Sequence, residues 1–570
     1  TPLPVVSFIT RSINILLKEK FSKKDGFASE GVTLLDPASG TLTFPANAIS
    51  LAKEEVDKGS NAGSWLQIVK NHILKDYYAF ELLMAPYIIG HLKISLLLEE
   101  LGYKLQNSDR FQLYLTNTLD LSKIEQSQMP FIAGLSREAQ KARKVKKDIP
   151  ILVIMGNPPY SFSHSEQSEF VKTTIKDYLT GLGVEKERKK GVMQDDYIRF
   201  IRFAHWKIEQ AGHGIIGMIT NNSYLDGIIH RAMRKKLIDD FDEIYILNLH
   251  GNLRLKEKAP RGGRDENVFD IQQGVGIILL VKFAPRCQKR GGVAVKKIEY
   301  HDRWGSRKDK YRFLETHDVN NTDWKNLELK EPNYFFVPKK YKGEERYQKF
   351  ISLKDIFEKF GSGVITRRDE FVVAIDRSEL KNRICIFLDK KLPQEIIEKS
   401  LCIKDTYEWS LQNARDEVTR DKDLDKKYLE YLYRPFDRRW IIYHKNLISR
   451  PSSLLRKCFP GRDNISLVCS RKIPGRTNFS HIFASSVLID IHSVADQSYV
   501  FPLFVYSGHN EGDLFERIDA KRLNFNSSFW QKIRSSIGSI DPWLIFYYIY
   551  AILYSSIYRK KYNEFLRIDF

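Results

Sequence analysis

Asn157, Pro158, Pro159 and Tyr160 follow directly on the apolar run 151–155 and Gly156. The spacing predicts a polar tetrad emerging from the end of a buried strand, where open α/β sheets build their ligand pockets. Its residue types suit one kind of chemistry. The exocyclic amine of an aromatic base is a poor nucleophile because its lone pair is delocalised into the ring. If the Asn157 carboxamide oxygen and the Pro158 backbone carbonyl accept its two N–H bonds, the nitrogen becomes more pyramidal and its lone pair is freed for attack. Pro158 and Pro159 fix φ and donate no N–H, which holds those carbonyls in place without spending side-chain entropy. Tyr160 offers a flat face on which an extruded base can stack. The plain alternative is a structural turn after a strand.

Holding such a tetrad takes a sheet, and the periodicity of the chain supplies one. Apolar runs at 31–35, 77–83, 111–115, 149–155, 214–220, 243–249 and 275–283 read as strands, the last two close enough to be antiparallel neighbours. Residues 44–56, 86–101 and 194–210 carry helical periodicity. Strands alternating with helices predict a parallel sheet, and seven strands within about 285 residues make one doubly wound α/β domain. The first strand ends in Asp36, Pro37, Ala38, Ser39 and Gly40, a small-residue turn that lets the backbone approach a nucleotide-like ligand. Glu81, ending the second strand, is placed to accept hydrogen bonds from ribose hydroxyls. Singly, such turns and carboxylates are common; their order and spacing relative to Asn157 are far more specific.

The rest of the chain is bounded by length and charge. At 570 residues and 66.6 kDa it exceeds one ordinary core, so two or three domains are expected. Lys and Arg number 91 against 71 Asp and Glu, a formal net charge of +20 and a pI near 9.4, which suits a polyanionic partner or simply a basic protein. Cys287, Cys385, Cys402, Cys458 and Cys469 are scattered, with no CxxC pair and no His cluster at ligand spacing. They read as reduced structural thiols of a cytoplasmic protein, with neither a metal site nor a disulfide frame. No signal peptide is visible. The longest apolar stretch, 542–554, is too short to span a bilayer and is rich in tyrosine, so a buried helix is expected there and no membrane partner. The chain opens at Thr1 without a methionine and is expected to be part of a longer polypeptide.

Asp36-Pro37-Ala38-Ser39-Gly40, followed by Gly156-Asn157-Pro158-Pro159-Tyr160-Ser161, resembles the cofactor and catalytic motifs of amino DNA methyltransferases that make N6-methyladenine. Thr1-Pro2, with the helix through Val6, Phe8 and Ile9, resembles their N-terminal cofactor-flanking motif. Asp196-Tyr197-Ile198-Arg199-Phe200 and the run 217–225 match further motifs. Cofactor half first, catalytic half second and recognition region last is the order of the gamma class. Within it the chain is most similar to single-chain type ISP restriction-modification enzymes, in which nuclease and helicase parts precede the methyltransferase; neither part appears in this sequence. The resemblance implies a Rossmann-like S-adenosylmethionine methyltransferase domain over residues 1–285. An α+β target recognition domain with a C-terminal helical segment would occupy 286–570. It also implies contacts to S-adenosylmethionine from Thr1, Pro2, Asp36, Pro37, Ala38, Gly40, Glu81 and Asn117, with Asn157, Pro158, Pro159 and Tyr160 catalytic. Two positions depart from the pattern: Leu42 stands where many relatives have a second glycine, and Asn117 where an Asp usually meets the cofactor adenine. Attack at the cytosine ring carbon would need a Pro-Cys pair, which the chain lacks, and Asn rather than Ser at position 157 points away from the cytosine amine.

The downstream half resembles a target recognition region at 363–369, 433–439 and 548–570, and its charge supports that on physical grounds. Between Tyr431 and Arg476, eleven Lys and Arg face two acids, a local balance of +9, with Tyr433, Phe436, Trp440 and Tyr443 interleaved. Arg367, Arg368, Arg434, Arg438 and Arg439 are the expected contacts to double-stranded DNA. Two basic loops, 185–190 and 253–264, follow predicted strand ends near the pocket and are candidates to clamp the strand around an extruded base. Two other readings remain open. The same tetrad occurs in enzymes that methylate a protein glutamine amide, although those are compact chains. Leu42 and Asn117 leave room for a non-catalytic DNA-binding specificity module, which uptake of S-adenosylmethionine would exclude.

Overall fold

The computed structural model describes all residues except 60–61, 108, 122–129, 161–167, 188–189, 255–256, 258, 261, 285–295, 340–342, 472–481, 495–496 and 507–520. The chain forms two compact units, Thr1–Lys339 and Lys340–Phe570.

The first unit is built on one nine-stranded sheet. Its strands are β1 (Leu34–Asp36), β2 (Tyr77–Glu81), β3 (Gln112–Leu115), β4 (Val153–Gly156), β5 (Gly214–Asn221), β6 (Glu243–His250), β7 (Val275–Lys282), β8 (Lys297–Asp302) and β9 (Lys325–Asn326), in the order β3-β2-β1-β4-β5-β7-β6-β8-β9. Strands β1 to β5 run parallel, and β7 is antiparallel to both β5 and β6. Successive side chains of a strand point to opposite faces, and the core divides accordingly. Leu34, Val153, Ile215 and Leu279 face the helices Leu3–Lys20, Thr43–Lys58 and Met84–Glu100. Leu35, Ile154, Ile216 and Leu280 face Asp196–Ala211 and Arg231–Asp240. Apolar on both faces and covered on both, this is the doubly wound arrangement the sequence predicts. The helix Leu3–Lys20 packs where β5 has no side chain to obstruct it: a Cβ on Gly217 would come 2.7 Å from Ile13 and 3.0 Å from Ile9.

The sheet runs past the boundary expected at 285–286, which itself lies outside the described residues. β8 pairs in parallel with β6 over six residues, Glu243↔Lys297 to Asn248↔Asp302, and β9 adds to it. The helix Arg307–Thr316 then buries Phe313 and Leu314 in the same core as the first helix, and Arg11 donates to the carbonyls of Leu314 (2.6 Å) and His317 (2.8 Å). The physical reason is edge coverage: without β8, the apolar strand β6 would be the edge of the sheet.

The second unit is α+β. Its small sheets follow the orders β10-β17-β14-β15, β11-β13-β12-β16 and β18-β19. These strands are β10 (Gly361–Ser362), β11 (Val373–Ala374), β12 (Tyr428–Arg434), β13 (Asp437–Ile442), β14 (Ser466–Cys469), β15 (Ile482–Ser485), β16 (Leu488–Ile489), β17 (Tyr499–Pro502), β18 (Phe504–Tyr506) and β19 (Lys521–Leu523). Helix Pro542–Tyr554 buries only one face, through Ile545, Phe546, Ile549 and Leu553; Leu544, Tyr547 and Tyr548 are exposed, a position that tyrosine hydroxyls tolerate. Among the described residues no single helix is long and apolar enough to cross a membrane. Cys385, Cys402, Cys458 and Cys469 are free thiols, and Cys287 lies outside the described residues.

Candidate functional site

Strand β1 lies between β2 and β4, all parallel, with Asp36 paired to Ala79 and Leu35 to Ile154. Glu81 and Asn157 therefore leave the carboxyl edge on either side of Asp36, about two strand spacings (~10 Å) apart. The Asp36 side chain is fully buried. Its Oδ1 accepts the Ala38 N–H at 3.1 Å, and its Oδ2 has no hydrogen-bond partner among the described residues. Burial drives its pKa up to about 8; the Ala38 N–H opposes this and the Glu81 charge adds to it. The sign of the consequence follows. The folded chain keeps a proton on Asp36 that the unfolded chain has released, so stability falls as pH rises from the ordinary carboxylate range to about 8 and levels off above it. Asp36→Asn is expected to flatten that part of the profile, read as the difference in denaturant midpoint between pH ~5 and pH ~8; identical slopes in the two proteins would contradict it.

The turn after β1 is stitched to the end of β2. Gly40 donates its N–H to Glu81 Oε2 at 2.8 Å, Leu82 and Leu83 donate to Oε1 at 2.9 and 2.8 Å, and Ser39 donates to the Phe80 carbonyl at 3.0 Å. Gly40 and Leu42 both have left-handed backbone, φ +52° and +61°. That conformation favours glycine, which accounts for the glycine common in the resembling family. Here the Leu42 side chain is buried in the core beside Gly90, whose added Cβ would lie 3.1 Å from Leu42 Cδ1.

The loop after β3 closes the same edge. Thr116 donates its N–H to the Glu81 carbonyl (2.7 Å), and Thr118 Oγ1 donates to the Pro37 carbonyl (2.5 Å). Asn117 is exposed and its Oδ1 accepts the Leu119 N–H at 3.1 Å. The loop is fixed by a residue the sequence reading missed: Lys146, 2% exposed, donates to Thr116 Oγ1 (2.9 Å) and to the carbonyls of Asn117 (2.6 Å) and Asp120 (2.9 Å). Burial lowers its pKa to about 8. Lys146 stands among Lys141, Arg143, Lys144 and Lys147, and only the fold turns it inward.

The tetrad stands on the other flank of Asp36. Gly156 has no room for a side chain, since a Cβ there would meet Asp36 Oδ1 at 2.8 Å. Asn157 is held at both ends of its amide: Nδ2 donates to Thr1 Oγ1 at 3.1 Å, and Oδ1 accepts from the Tyr160 hydroxyl at 2.6 Å. The second oxygen near that hydroxyl is the Ile219 carbonyl of β5, at 3.3 Å. Tyr160 is thus an orienting clamp as well as an aromatic surface, and its ring meets Phe269 edge-on at 6.3 Å. Pro158 is buried and Pro159 exposed. Beyond β5, Asn221 Oδ1 accepts from the Ser223 N–H and hydroxyl, and Asn222 donates to Asn248 at 3.0 Å. The structure therefore brings Thr1, Asp36, Gly40, Glu81, Asn117, Asn157 and Tyr160 to one sheet edge. Ser161 and parts of the loops 185–190 and 253–264 lie outside the described residues.

At the opposite, amino edge, His205, Glu209 and Asp240 cluster within 4.8 Å. Their carboxylates already face Lys236 (2.8 Å from Asp240) and Arg202 (3.0 Å from Glu209, and 2.6 Å from Asp177), so the cluster is an ion-pair network.

The second unit gathers its own basic surface. Tyr433 donates to Asp369 at 3.0 Å, which joins the run 363–369 to the β12–β13 hairpin. The Tyr433 ring has Arg434 at 3.9 Å and Arg439 at 4.1 Å from its centroid. Arg434 pairs with buried Asp490 at 3.0 Å and Arg439 with Asp437 at 2.8 Å. Arg368 stacks on Trp409 at 3.9 Å, Arg367 pairs with Glu408 at 3.2 Å, and Arg438 is exposed. Several of these arginines are thus internally partnered. Lys472 and Arg476 of the basic run lie outside the described residues.

Comparison with known proteins follows this division. Residues 84–254 match the Eco57I restriction-modification methylase family, and residues 355–570 match the Type ISP C-terminal specificity domain. No curated protein matches the chain. Over its whole length it is similar to the ATP-dependent Type ISP restriction-modification enzyme LlaBIII bound to DNA, at 25% identity and a TM-score of 0.79, covering 37% of that chain. At 24% identity it shares the fold of a nuclease-deletion mutant of the Type ISP enzyme LlaGI in complex with a DNA substrate mimic (TM-score 0.74; 99% of this chain, 44% of that one). The same holds for the DrdV–DNA complex, at 24% identity (TM-score 0.76; 100% and 55%). The chain spans between 37% and 55% of these structures' own lengths. It is an Eco57I-family restriction-modification methylase region joined to a Type ISP C-terminal specificity domain.

Proposed function

We propose that the chain is the modification part of a restriction-modification enzyme. It transfers a methyl group from S-adenosylmethionine to N6 of an adenine turned out of double-stranded DNA, and its second unit supplies target recognition. The observation that carries this reading is the Asn157 amide, pinned at both ends beside the buried carboxyl of Asp36 at the carboxyl edge of the sheet.

The residues present fit the cofactor. Asp36 Oδ2 is a buried polar atom with no hydrogen-bond partner among the described residues, and Glu81 is partly exposed. Asp36, Gly40 and Glu81 would hold S-adenosylmethionine, with Thr1, Pro2, Pro37, Ala38 and Asn117 flanking it. When bound, it supplies a methyl group on a cationic sulfur, an electrophile that needs no metal and no covalent enzyme intermediate. The chain's own residues prepare the nucleophile. Tyr160 and Thr1 fix which end of the Asn157 amide is oxygen. That oxygen retains a lone pair for one amine hydrogen, the Pro158 carbonyl takes the other, and fixed acceptors spare the transition state the cost of orienting solvent.

Two measurements bear on it. The whole chain, incubated with methyl-labelled S-adenosylmethionine and either bacterial genomic DNA or a protein extract, is expected to label only the DNA; label in protein would favour glutamine-amide methylation. Gly156→Ala is expected to destabilise the first unit by about 1–3 kcal/mol and to weaken uptake of S-adenosylmethionine, read by calorimetric titration. Unchanged affinity would remove Gly156 from the cofactor site.

A further inference from the structure

The β12–β13 hairpin is closed by only Pro435 and Phe436, and Phe436 has φ +65° with its residue 92% exposed. A bulky residue in left-handed backbone is a conformational outlier, and such strain collects at working positions. Here it turns a large apolar ring outward, where its one ring contact among the described residues is edge-on to Phe483 at 6.0 Å. The base of the hairpin is held by side-chain contacts. The pairing of β12 and β13 shifts register between Leu432 and Arg434, and Tyr433 is bonded to Asp369 and flanked by Arg434 and Arg439. Gly363 lets the neighbouring segment approach, since a Cβ there would come 2.6 Å from the Asp490 backbone, the residue that anchors Arg434. Arg438, beside the tip, is exposed with no partner among the described residues.

We infer that this tip is a wedge for duplex DNA: the Phe436 ring enters between stacked bases while Arg438 meets a backbone phosphate. The proposal rests on the DNA-directed reading above and goes beyond it in assigning the insertion to one ring. The chemistry fits no other partner of this charge as well. A polyanion alone would be met by arginines, whereas an outward aromatic among them suits a partner with both phosphates and flat apolar faces. A protein partner is the competing outcome.

The test uses the whole chain with sheared bacterial genomic DNA. Phe436→Ala is expected to weaken DNA binding about tenfold to hundredfold, with the dependence of log affinity on log salt unchanged and S-adenosylmethionine binding intact. Phe436→Trp keeps the affinity, which guards against a folding artefact. Arg438→Ala instead lowers the salt slope by about one. A photo-crosslinking benzoylphenylalanine at position 436 attaches to DNA. Wild-type affinity in Phe436→Ala, or crosslinks from position 436 to protein alone, would overturn the wedge and leave the methyl-transfer reading standing. A wild-type chain that takes up S-adenosylmethionine but binds no DNA would overturn both.

Discussion

Asn157→Ala is expected to slow methyl transfer by about 10²–10³-fold while leaving S-adenosylmethionine affinity within about twofold of wild type. Removing one preorganised hydrogen-bonding group from a transition state costs on this scale, roughly 3–4 kcal/mol. The loss falls on the rate because the amide binds a nitrogen whose geometry changes only on the way to reaction. The fold is expected to survive: Asn157 is only partly buried, and Tyr160 still has the Ile219 carbonyl at 3.3 Å. Single-turnover transfer to genomic DNA, with a calorimetric titration of the cofactor beside it, separates the two effects. A variant that loses cofactor affinity and keeps its single-turnover rate would mean that Asn157 belongs to the cofactor site.

The second large effect concerns the frame. Lys310 and Asp265 form an ion pair at 2.8 Å with both side chains fully buried. Lys310 also donates to the carbonyls of Leu249 (2.7 Å) and Glu266 (2.6 Å), and Asp265 accepts the N–H groups of Gly251 (2.7 Å) and Gly305 (2.8 Å). Lys310→Met keeps the bulk and removes the charge. It leaves one carboxylate without its countercharge and two carbonyls without a donor, so a loss of about 3–5 kcal/mol is expected. Equilibrium denaturation reads it directly, and a loss below about 1 kcal/mol would show that water replaces the ammonium. Burial holds the pKa of Lys310 below its ordinary value, so the native pair has already met part of this desolvation.

These two residues mark where the sequence was legible and where it was not. The place of Asn157 at the end of β4 could be read because local signals sufficed: an apolar run long enough for a strand, then Gly156 and two prolines to end it. The parallel sheet around Asp36 followed from the alternation of apolar runs and helical stretches. Lys310 could not be read: Ile298 and Tyr300 alternate with Lys297, Glu299 and His301 as in a half-buried strand, but no residue of that run says which sheet the strand joins. What made β8 part of the first unit was the exposed edge of β6, a property of the sheet and absent from any one window of sequence. Lys146 was hidden in the same way. Leu42, a departure from the family pattern, proved to be a left-handed residue whose side chain fills the core. Among the arginines, Arg434 and Arg439 read as free cations, whereas the structure engages them with Asp490 and Asp437.

The claim on which the rest depends is that the Asn157 amide directs a methyl group to an adenine amine. Genomic DNA treated with the whole chain and deuterium-labelled S-adenosylmethionine, digested to nucleosides and weighed by mass spectrometry, tests it most directly. The account predicts the label in N6-methyladenine, and its near-complete loss with Asn157→Ala; label in N4- or C5-methylcytosine, or equal labelling by the variant, would contradict it.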